Sequence, residues 1–146
     1  MTDATGPGGG IAHRFPVRVY YEDTDAGGIV YYANYLKFAE RARTEMLRDM
    51  GAPCVDLVRR QGLSFAVRRC EVDYLRPARL DDRLEVETRL LGVGGATLDA
   101  EQTVRRDDDV LVRVRLACMS SAGRPARLPA ALRSVLKPYC QVQQRV

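Results

Sequence analysis

The stretch that decides the fold runs from Val17 to Gly51 and reads VRVYYEDTDAGGIVYYANYLKFAERARTEMLRDMG. Apolar and polar residues first alternate, as in a strand with one buried face. A glycine-rich acidic loop follows, and apolar residues then recur at three- and four-residue steps, the spacing of an amphipathic helix. We predict a strand over residues 14–21, a loop, and one long helix that Asn34 caps and Gly51 ends. Its core-facing stripe is Tyr35, Phe38, Ala39, Ala42, Met46 and Met50.

The loop before this helix combines carboxylates with free backbone donors. Its sequence is Asp23-Thr24-Asp25-Ala26-Gly27-Gly28. The first N–H groups of a helix have no partner within the helix and carry partial positive charge. The loop can therefore place an acid beside an anion-stabilising donor, although an Asp before glycines is, taken alone, usually a turn residue.

Composition narrows the class of protein. The chain has 146 residues, which predicts one domain, and its 46% hydrophobic content can fill a core. The net charge is +4 without a long run of like charges, so we predict no nucleic-acid partner. This mildly basic charge is compatible with a small ligand that bears phosphates. No segment is long and apolar enough to span a membrane, and the N-terminus lacks the regions of a signal peptide, so we expect a cytoplasmic protein.

Metal and histidine chemistry are also restricted. Cys54, Cys70, Cys118 and Cys140 form no CxxC pair, so we predict no metal site. His13 is the single histidine and lies in a glycine-rich tail, so no Ser-His-Asp arrangement is expected. An enzyme with this sequence would use a carboxylate as its acid–base or nucleophilic group.

The rest of the chain predicts a short helix and a run of strands. A helix over residues 53–61 precedes strands over 63–76, 83–91, 96–105 and 110–119, and a closing helix covers 129–136. The apolar parity changes within the first of these strands, which predicts a bulge near Arg68 and Arg69. We predict an α+β fold in which an antiparallel sheet wraps around one long central helix. Residues 14–137 form the domain, 1–13 a disordered tail and 138–146 a C-terminal tail.

Such a sheet leaves unpaired strand edges. Pairing of edges between two chains would protect them from aggregation. We therefore predict a homodimer or a homotetramer.

Two stretches resemble the hotdog-fold acyl-CoA thioesterases. They are PVRVYYEDTDAGGIVYYANYLKFAERARTEMLR, from Pro16 to Arg48, and FAVRRCEVDYLRPARLDD, from Phe65 to Asp82. The sequence is most similar to the Tol-Pal-associated subgroup, whose relatives include 4-hydroxybenzoyl-CoA thioesterase. The resemblance implies a hotdog fold, hydrolysis of an acyl-CoA to free acid and CoA, and no cofactor, since CoA is part of the substrate.

The resemblance also assigns roles to residues. The family's catalytic carboxylate falls on Asp25, and its carbonyl-polarising backbone N–H falls on Tyr32. Many subgroup members carry His at the second place, whereas Tyr32 retains only the backbone donor. Asp25 can attack the carbonyl or activate a water, and the sequence leaves both roles open.

Further candidates surround this pair and have structural alternatives. Gly27 and Gly28 serve a turn or allow close approach of substrate, and Tyr31 can line the acyl pocket. Asn34 caps the helix or orders the loop. Guanidinium groups pair well with phosphates, which makes Arg68, Arg69, Arg76 and Arg79 candidates for CoA binding, with ordinary surface charge as the alternative.

Two rival functions remain at this stage. A 3-hydroxyacyl-thioester dehydratase of the same fold typically needs a catalytic histidine, which ranks it low. A non-catalytic module that binds acyl thioesters or acyl carrier protein is the alternative from another class. A carrier-protein partnership and thioesterase activity are also compatible with each other.

Overall fold

The computed structural model describes residues 2–5 and 11–140 of the chain. Six strands form one antiparallel sheet in the order β1-β2-β4-β5-β6-β3. The longest helix, α1, lies against its inner face, so the predicted architecture is confirmed. The strands are β1 (Thr2–Thr5), β2 (Ile11–Arg18), β3 (Ser64–Tyr74), β4 (Arg83–Val93), β5 (Thr97–Arg106) and β6 (Asp109–Ser121). The helices are α1 (Asn34–Asp49), α2 (Cys54–Gln61) and α3 (Ala130–Leu136), and two short 3-10 helices cover Tyr21–Asp23 and Lys137–Tyr139.

The residues that form the apolar parity of strands β4 to β6 are the ones that the structure buries. The predicted inner faces of β4, β5 and β6 are buried, and they pack on the apolar stripe of α1. That stripe is as predicted except that Met50 is only partly buried and Leu47 joins the core. Inner-face residues include Leu84, Val86, Leu90, Leu98, Ala100, Val104, Val112, Val114 and Leu116.

A bulge in β3 confirms the predicted change of parity. The register of β3 against β6 shifts between Val67 and Arg69, so Arg68 is the extra residue. β3 is an edge strand whose residues are almost all exposed, in contrast to β4–β6. Its outer edge has no partner strand among the described residues.

The N-terminal boundary differs from the prediction. β2 starts at Ile11, and β1 pairs with it, so residues 2–5 and 11–13 are in strands where a disordered tail was predicted. The physical reason is burial: Ala12 and His13 are fully buried, and His13 Nε2 lies 2.7 Å from Asp49 Oδ2 at the end of α1. Residues 1 and 6–10 of the predicted tail lie outside the described residues.

The other boundaries shift by small amounts. β2 ends at Arg18, three residues earlier than predicted, because the chain turns into a 3-10 helix that leaves Tyr21 exposed. The C-terminal tail predicted from 138 begins with a 3-10 helix, Lys137–Tyr139. Residues 141–146 lie outside the described part. In the described residues, no helix is long and apolar enough to cross a membrane.

Candidate active site

A tight reverse turn carries Asp25. The Asp25 N–H donates to the Ile29 carbonyl at 2.9 Å, and the Gly28 N–H donates to the Asp25 carbonyl at 3.0 Å. Gly28 has φ of +79°, a left-handed conformation that glycine adopts without a steric penalty. We call residues 23–31 the Asp25 loop. Its glycine at 28 therefore has a structural role in the turn.

The Asp25 carboxylate is exposed and oriented. Its Oδ1 accepts a hydrogen bond from the Gly27 N–H at 2.8 Å. A Cβ at position 27 would lie 3.2 Å from that same oxygen, so glycine allows the close approach. Within the described residues, no basic side chain pairs with Asp25, and Oδ2 accepts no hydrogen bond. One oxygen is thus held while the other faces solvent.

The backbone N–H of Tyr32 lies just before α1. The preceding turn is closed by the Asn34 N–H, which donates to the Tyr31 carbonyl at 2.8 Å. No acceptor among residues 2–5 and 11–140 bonds to the Tyr32 amide. It lies one residue before the N-cap Ala33, where the helix dipole adds positive potential.

Asn34 orders the Asp25 loop and is not the helix cap. The N-cap residue is Ala33, so the predicted cap is wrong by one position. The Asn34 Nδ2 donates to the Asp23 carbonyl at 2.9 Å, and the Tyr31 N–H donates to the same oxygen at 2.9 Å. The Asp23 carboxylate accepts from the Tyr20 N–H at 2.8 Å, so this side chain stabilises the loop itself.

An aromatic surface adjoins the loop. The ring centroids of Tyr31 and Tyr32 are 4.9 Å apart, and Tyr74 at the end of β3 lies 5.9 Å from Tyr32. These three rings are 46%, 60% and 45% exposed. A hydrogen bond with Tyr32 raises the pKa of the Tyr31 hydroxyl above its ordinary value. Tyr35 belongs to the core, since only 3% of it is exposed.

The structure does not bring Arg68 and Arg69 to Asp25 within one chain. Both are exposed at the bulge of β3, and Arg69 pairs with Glu71 at 2.7 Å. Tyr74 is at the end of that strand beside the Asp25 loop, and Arg69 lies five residues back, roughly 17 Å away at 3.3 Å per residue. Their proposed contact with CoA remains a prediction.

The segment from Arg76 to Arg83 supports the loop, a structural role that the sequence analysis did not predict. The Val30 N–H donates to the Ala78 carbonyl at 2.9 Å, and Ile29 forms a bridge with Arg79. The Ala78 N–H in turn donates to the Tyr35 hydroxyl at 2.9 Å. Burial raises the pKa of that hydroxyl, so it stays protonated. The only sign of this role in the sequence is that the segment overlaps Phe65 to Asp82, the second stretch that resembles the thioesterases.

An apolar pocket of about 250 Å³ lies elsewhere, between α1, α2 and the inner face of the sheet. Its walls include Arg43, Thr44 and Cys54 from the helices, and Leu90, Leu98 and Leu116 from the sheet. Phe65 and Val67 place it beside the start of β3, at the opposite end of that strand from Tyr74.

Comparison with known proteins agrees with these features. Residues 27–113 match the thioesterase superfamily. The chain belongs to that superfamily. The match begins two residues after Asp25, so it covers the start of α1 but not the candidate carboxylate. The hotdog fold predicted for this superfamily member is thereby confirmed.

Individual relatives of this superfamily member are similar over most of their length. The chain is 50% identical over 107 residues to "Acyl-CoA thioesterase YbgC" of Haemophilus influenzae, covering 72% of this chain and 79% of that protein. It is 48% identical over 106 residues to "Acyl-CoA thioester hydrolase YbgC" of Escherichia coli O157:H7, covering 68% and 78%. The crystal structure of a probable thioesterase from Bartonella henselae superposes with a TM-score of 0.78 at 38% identity, covering 81% of this chain and 99% of that one.

Proposed function

We propose that this protein hydrolyses acyl-CoA thioesters to a free carboxylic acid and CoA. The observation that carries the proposal is the juxtaposition of two groups in consecutive turns. The Asp25 carboxylate is held by the Gly27 amide, and the Tyr32 amide at the start of α1 has no acceptor among the described residues. The membership in the thioesterase superfamily supports the same reaction.

The two groups fit the needs of thioester hydrolysis. Attack on the thioester carbonyl creates an oxyanion, and a preorganised N–H aimed at that oxygen contributes roughly 10²–10³ in rate. The Tyr32 amide supplies the donor. Asp25 attacks the carbonyl carbon to give a mixed anhydride, or it removes a proton from the attacking water. The thiolate of CoA leaves readily, so the reaction as proposed requires no metal and no further cofactor.

We also propose that the working form is at least a homodimer joined through β3. This strand has an exposed outer edge, with Val67 49% and Tyr74 45% exposed. Antiparallel pairing with a second copy would continue the sheet. The Tyr74 end of one chain would then face the Phe65 end of the other, which brings the Asp25 loop of one copy near the apolar pocket of its partner.

Sedimentation equilibrium tests this assembly. Wild type should sediment at twice the chain mass or more, and Val67→Asp, which puts a charge at the exposed edge, should shift the population toward single chains. The matched change Val55→Asp, at an exposed position on α2, should leave the mass unchanged. Wild type that sediments as single chains at micromolar concentration contradicts the proposal.

Thiol release from a panel of acyl-CoAs tests the activity. The panel spans short aliphatic, long aliphatic and hydroxybenzoyl thioesters. Wild type should hydrolyse at least one of them, Asp25→Asn should lose most of the rate, and Tyr32→Phe should retain it because the backbone donor stays. Far-ultraviolet circular dichroism checks that each variant is folded.

Each alternative gives a different result. Binding of acyl-CoA without thiol release indicates a binding module, for example one that recognises acyl carrier protein. Full activity of Asp25→Asn means that another residue attacks. A large loss in Tyr32→Phe means that the tyrosine hydroxyl, and not the backbone amide, matters.

A further inference from the structure

Arg79 lies beside the Asp25 loop in a fixed position. Its backbone bridges to Ile29, whose carbonyl accepts from Asp25. On one side, the Ala78 N–H is bonded to the Tyr35 hydroxyl; on the other, the Arg79 N–H donates to Asp82 Oδ2 at 2.8 Å. Ala78 itself is fully buried. The main chain at Arg79 is therefore anchored on both sides, while its side chain is exposed.

Three nearby arginines form ion pairs with carboxylates, whereas in residues 2–5 and 11–140 the Arg79 guanidinium forms none, although its charge helps to lower the pKa of Asp82. Arg76 pairs with Asp109 at 3.2 Å, and Arg106 pairs with Asp82 at 2.7 Å. Arg18 lies 3.9 Å from Asp81. Among the described residues, no carboxylate lies within ion-pair distance of the Arg79 guanidinium. It is thus a cation available to a ligand at the edge of the site.

We propose that Arg79 binds the phosphate that ends the pantetheine arm of the substrate. This inference rests on the proposed function, because it takes the thioester to be positioned at Asp25. About 13 covalent bonds separate the thioester sulfur from that phosphate, or roughly 16 Å in an extended chain. The backbone of Arg79 is paired with that of Ile29, which is paired in turn with Asp25, and each pairing separates two backbones by about 5 Å. The extended arm is therefore long enough to bring its phosphate within reach of the exposed Arg79 side chain.

The chemistry of the side chain matches this ligand. A guanidinium presents a planar set of donors that pairs with two phosphate oxygens at once. CoA and the prosthetic group of an acyl carrier protein share this phosphate, so the residue would serve either donor of the acyl group.

Calorimetry with three probes tests the inference. CoA, 4′-phosphopantetheine and pantetheine are titrated into wild type, Arg79→Gln and Arg115→Gln. Arg115 is a matched control: it is exposed on the outer face of β6, between the buried Val114 and Leu116, and this face is turned away from α1. Arg79→Gln should raise the Kd for CoA and for 4′-phosphopantetheine by about tenfold, and change that for pantetheine less than twofold. Arg115→Gln should change none of them.

Three outcomes overturn the assignment. One is wild type that binds neither phosphate-bearing probe. Another is an unchanged Kd, or an equal rise for all three probes, in Arg79→Gln. The third is a rise for CoA alone, which would move the contact to the phosphates of the nucleotide. Arg79→Lys should restore part of the affinity, since it keeps the charge and loses the fork.

Binding and hydrolysis separate the two proposals. If wild type hydrolyses acyl-CoA and Arg79→Gln binds all three probes normally, the proposed activity stands and the role of Arg79 is refuted. If wild type releases no thiol but its CoA binding depends on Arg79, the role of Arg79 stands and the proposed activity is refuted. With an active enzyme, Arg79→Gln should raise KM for acyl-CoA about tenfold, leave KM for the acyl-pantetheine unchanged, and leave kcat within twofold.

Discussion

Gln102 joins the central helix to the sheet by hydrogen bonds. Replacing Gln102 should destabilise the protein more than replacing any one of its hydrogen-bond partners. The residue is fully buried on the inner face of β5. Its Nε2 donates to the Ala39 carbonyl of α1 at 2.8 Å and to Thr88 Oγ1 of β4 at 3.0 Å. Its Oε1 accepts from the Arg43 guanidinium at 2.8 Å.

The size of the effect follows from these three bonds. Gln102→Met keeps the volume and removes all of them. Two neutral hydrogen bonds contribute about 1 kcal/mol each, and one to a charged group about 1.5–3 kcal/mol. Arg43 is only partly buried and regains water, so we expect a loss of about 3 kcal/mol in the free energy of unfolding. For a chain of this length that corresponds to a Tm lower by about 6–12 °C.

Urea unfolding followed by circular dichroism measures this loss. Protein concentration must be held constant, because the stability of an oligomer depends on it. Thr88→Val removes one partner only and should cost about 1 kcal/mol, since Gln102 keeps its bonds to Ala39 and Arg43. The reasoning is refuted if Gln102→Met stays within 1 kcal/mol of wild type, or if it costs no more than Thr88→Val.

Two further changes probe the segment that supports the Asp25 loop. Tyr35→Phe leaves the buried Ala78 N–H without its acceptor and should cost about 1–2 kcal/mol in urea unfolding. Burial raises the pKa of Tyr35 above 10.0, so its contribution to stability is present below pH 10.0 and is lost as the pH rises. The free energy of unfolding of the variant should therefore fall less steeply at alkaline pH than that of wild type, and an unchanged slope would contradict this. Burial alone would raise the pKa of Asp82, but hydrogen bonds from the Arg79 N–H and from Arg106 hold it below 3.8. Its contribution is therefore present above pH 3.8 and lost as the pH falls through the lowered value, and Asp82→Asn should make the urea midpoint less sensitive to pH in that acid range.

The sequence predicted those parts of the fold that depend on local periodicity. Alternation in β4–β6 gave the buried faces, and the change of parity in β3 located the bulge at Arg68. These predictions succeed because a strand has only two faces and a one-residue insertion exchanges them. The predicted N-terminal boundary was wrong because the glycine-rich composition near it gave no sign of a long-range contact: His13 is buried against the end of α1, 36 residues away.

The site was predictable only where its residues are consecutive. Asp25, Gly27 and Tyr32 come from one loop, and their arrangement follows from turn chemistry and the helix start. Tyr74 and Arg79 reach the same place from β3 and from the segment after it. Those contacts depend on how the sheet curves around α1, and no local pattern in the sequence encodes that. The supporting bond between Tyr35 and Ala78 links positions 43 residues apart for the same reason.

The single chain presents a site that is well ordered but open to water. The Asp25 loop is held at the Asp23 carbonyl, at Ile29 and at Val30, which fixes the carboxylate and the Tyr32 amide before substrate arrives. Preorganised donors are worth most where water is excluded, because fixed dipoles act more strongly in a medium of low dielectric constant. Asp25, Tyr31 and Tyr32 are nevertheless all exposed. The rigidity therefore has its full effect only when a further surface covers them. The outer edge of β3 has no partner strand in the described part of the chain and ends at Tyr74 against Tyr32, so a second chain that pairs with this edge would add that cover.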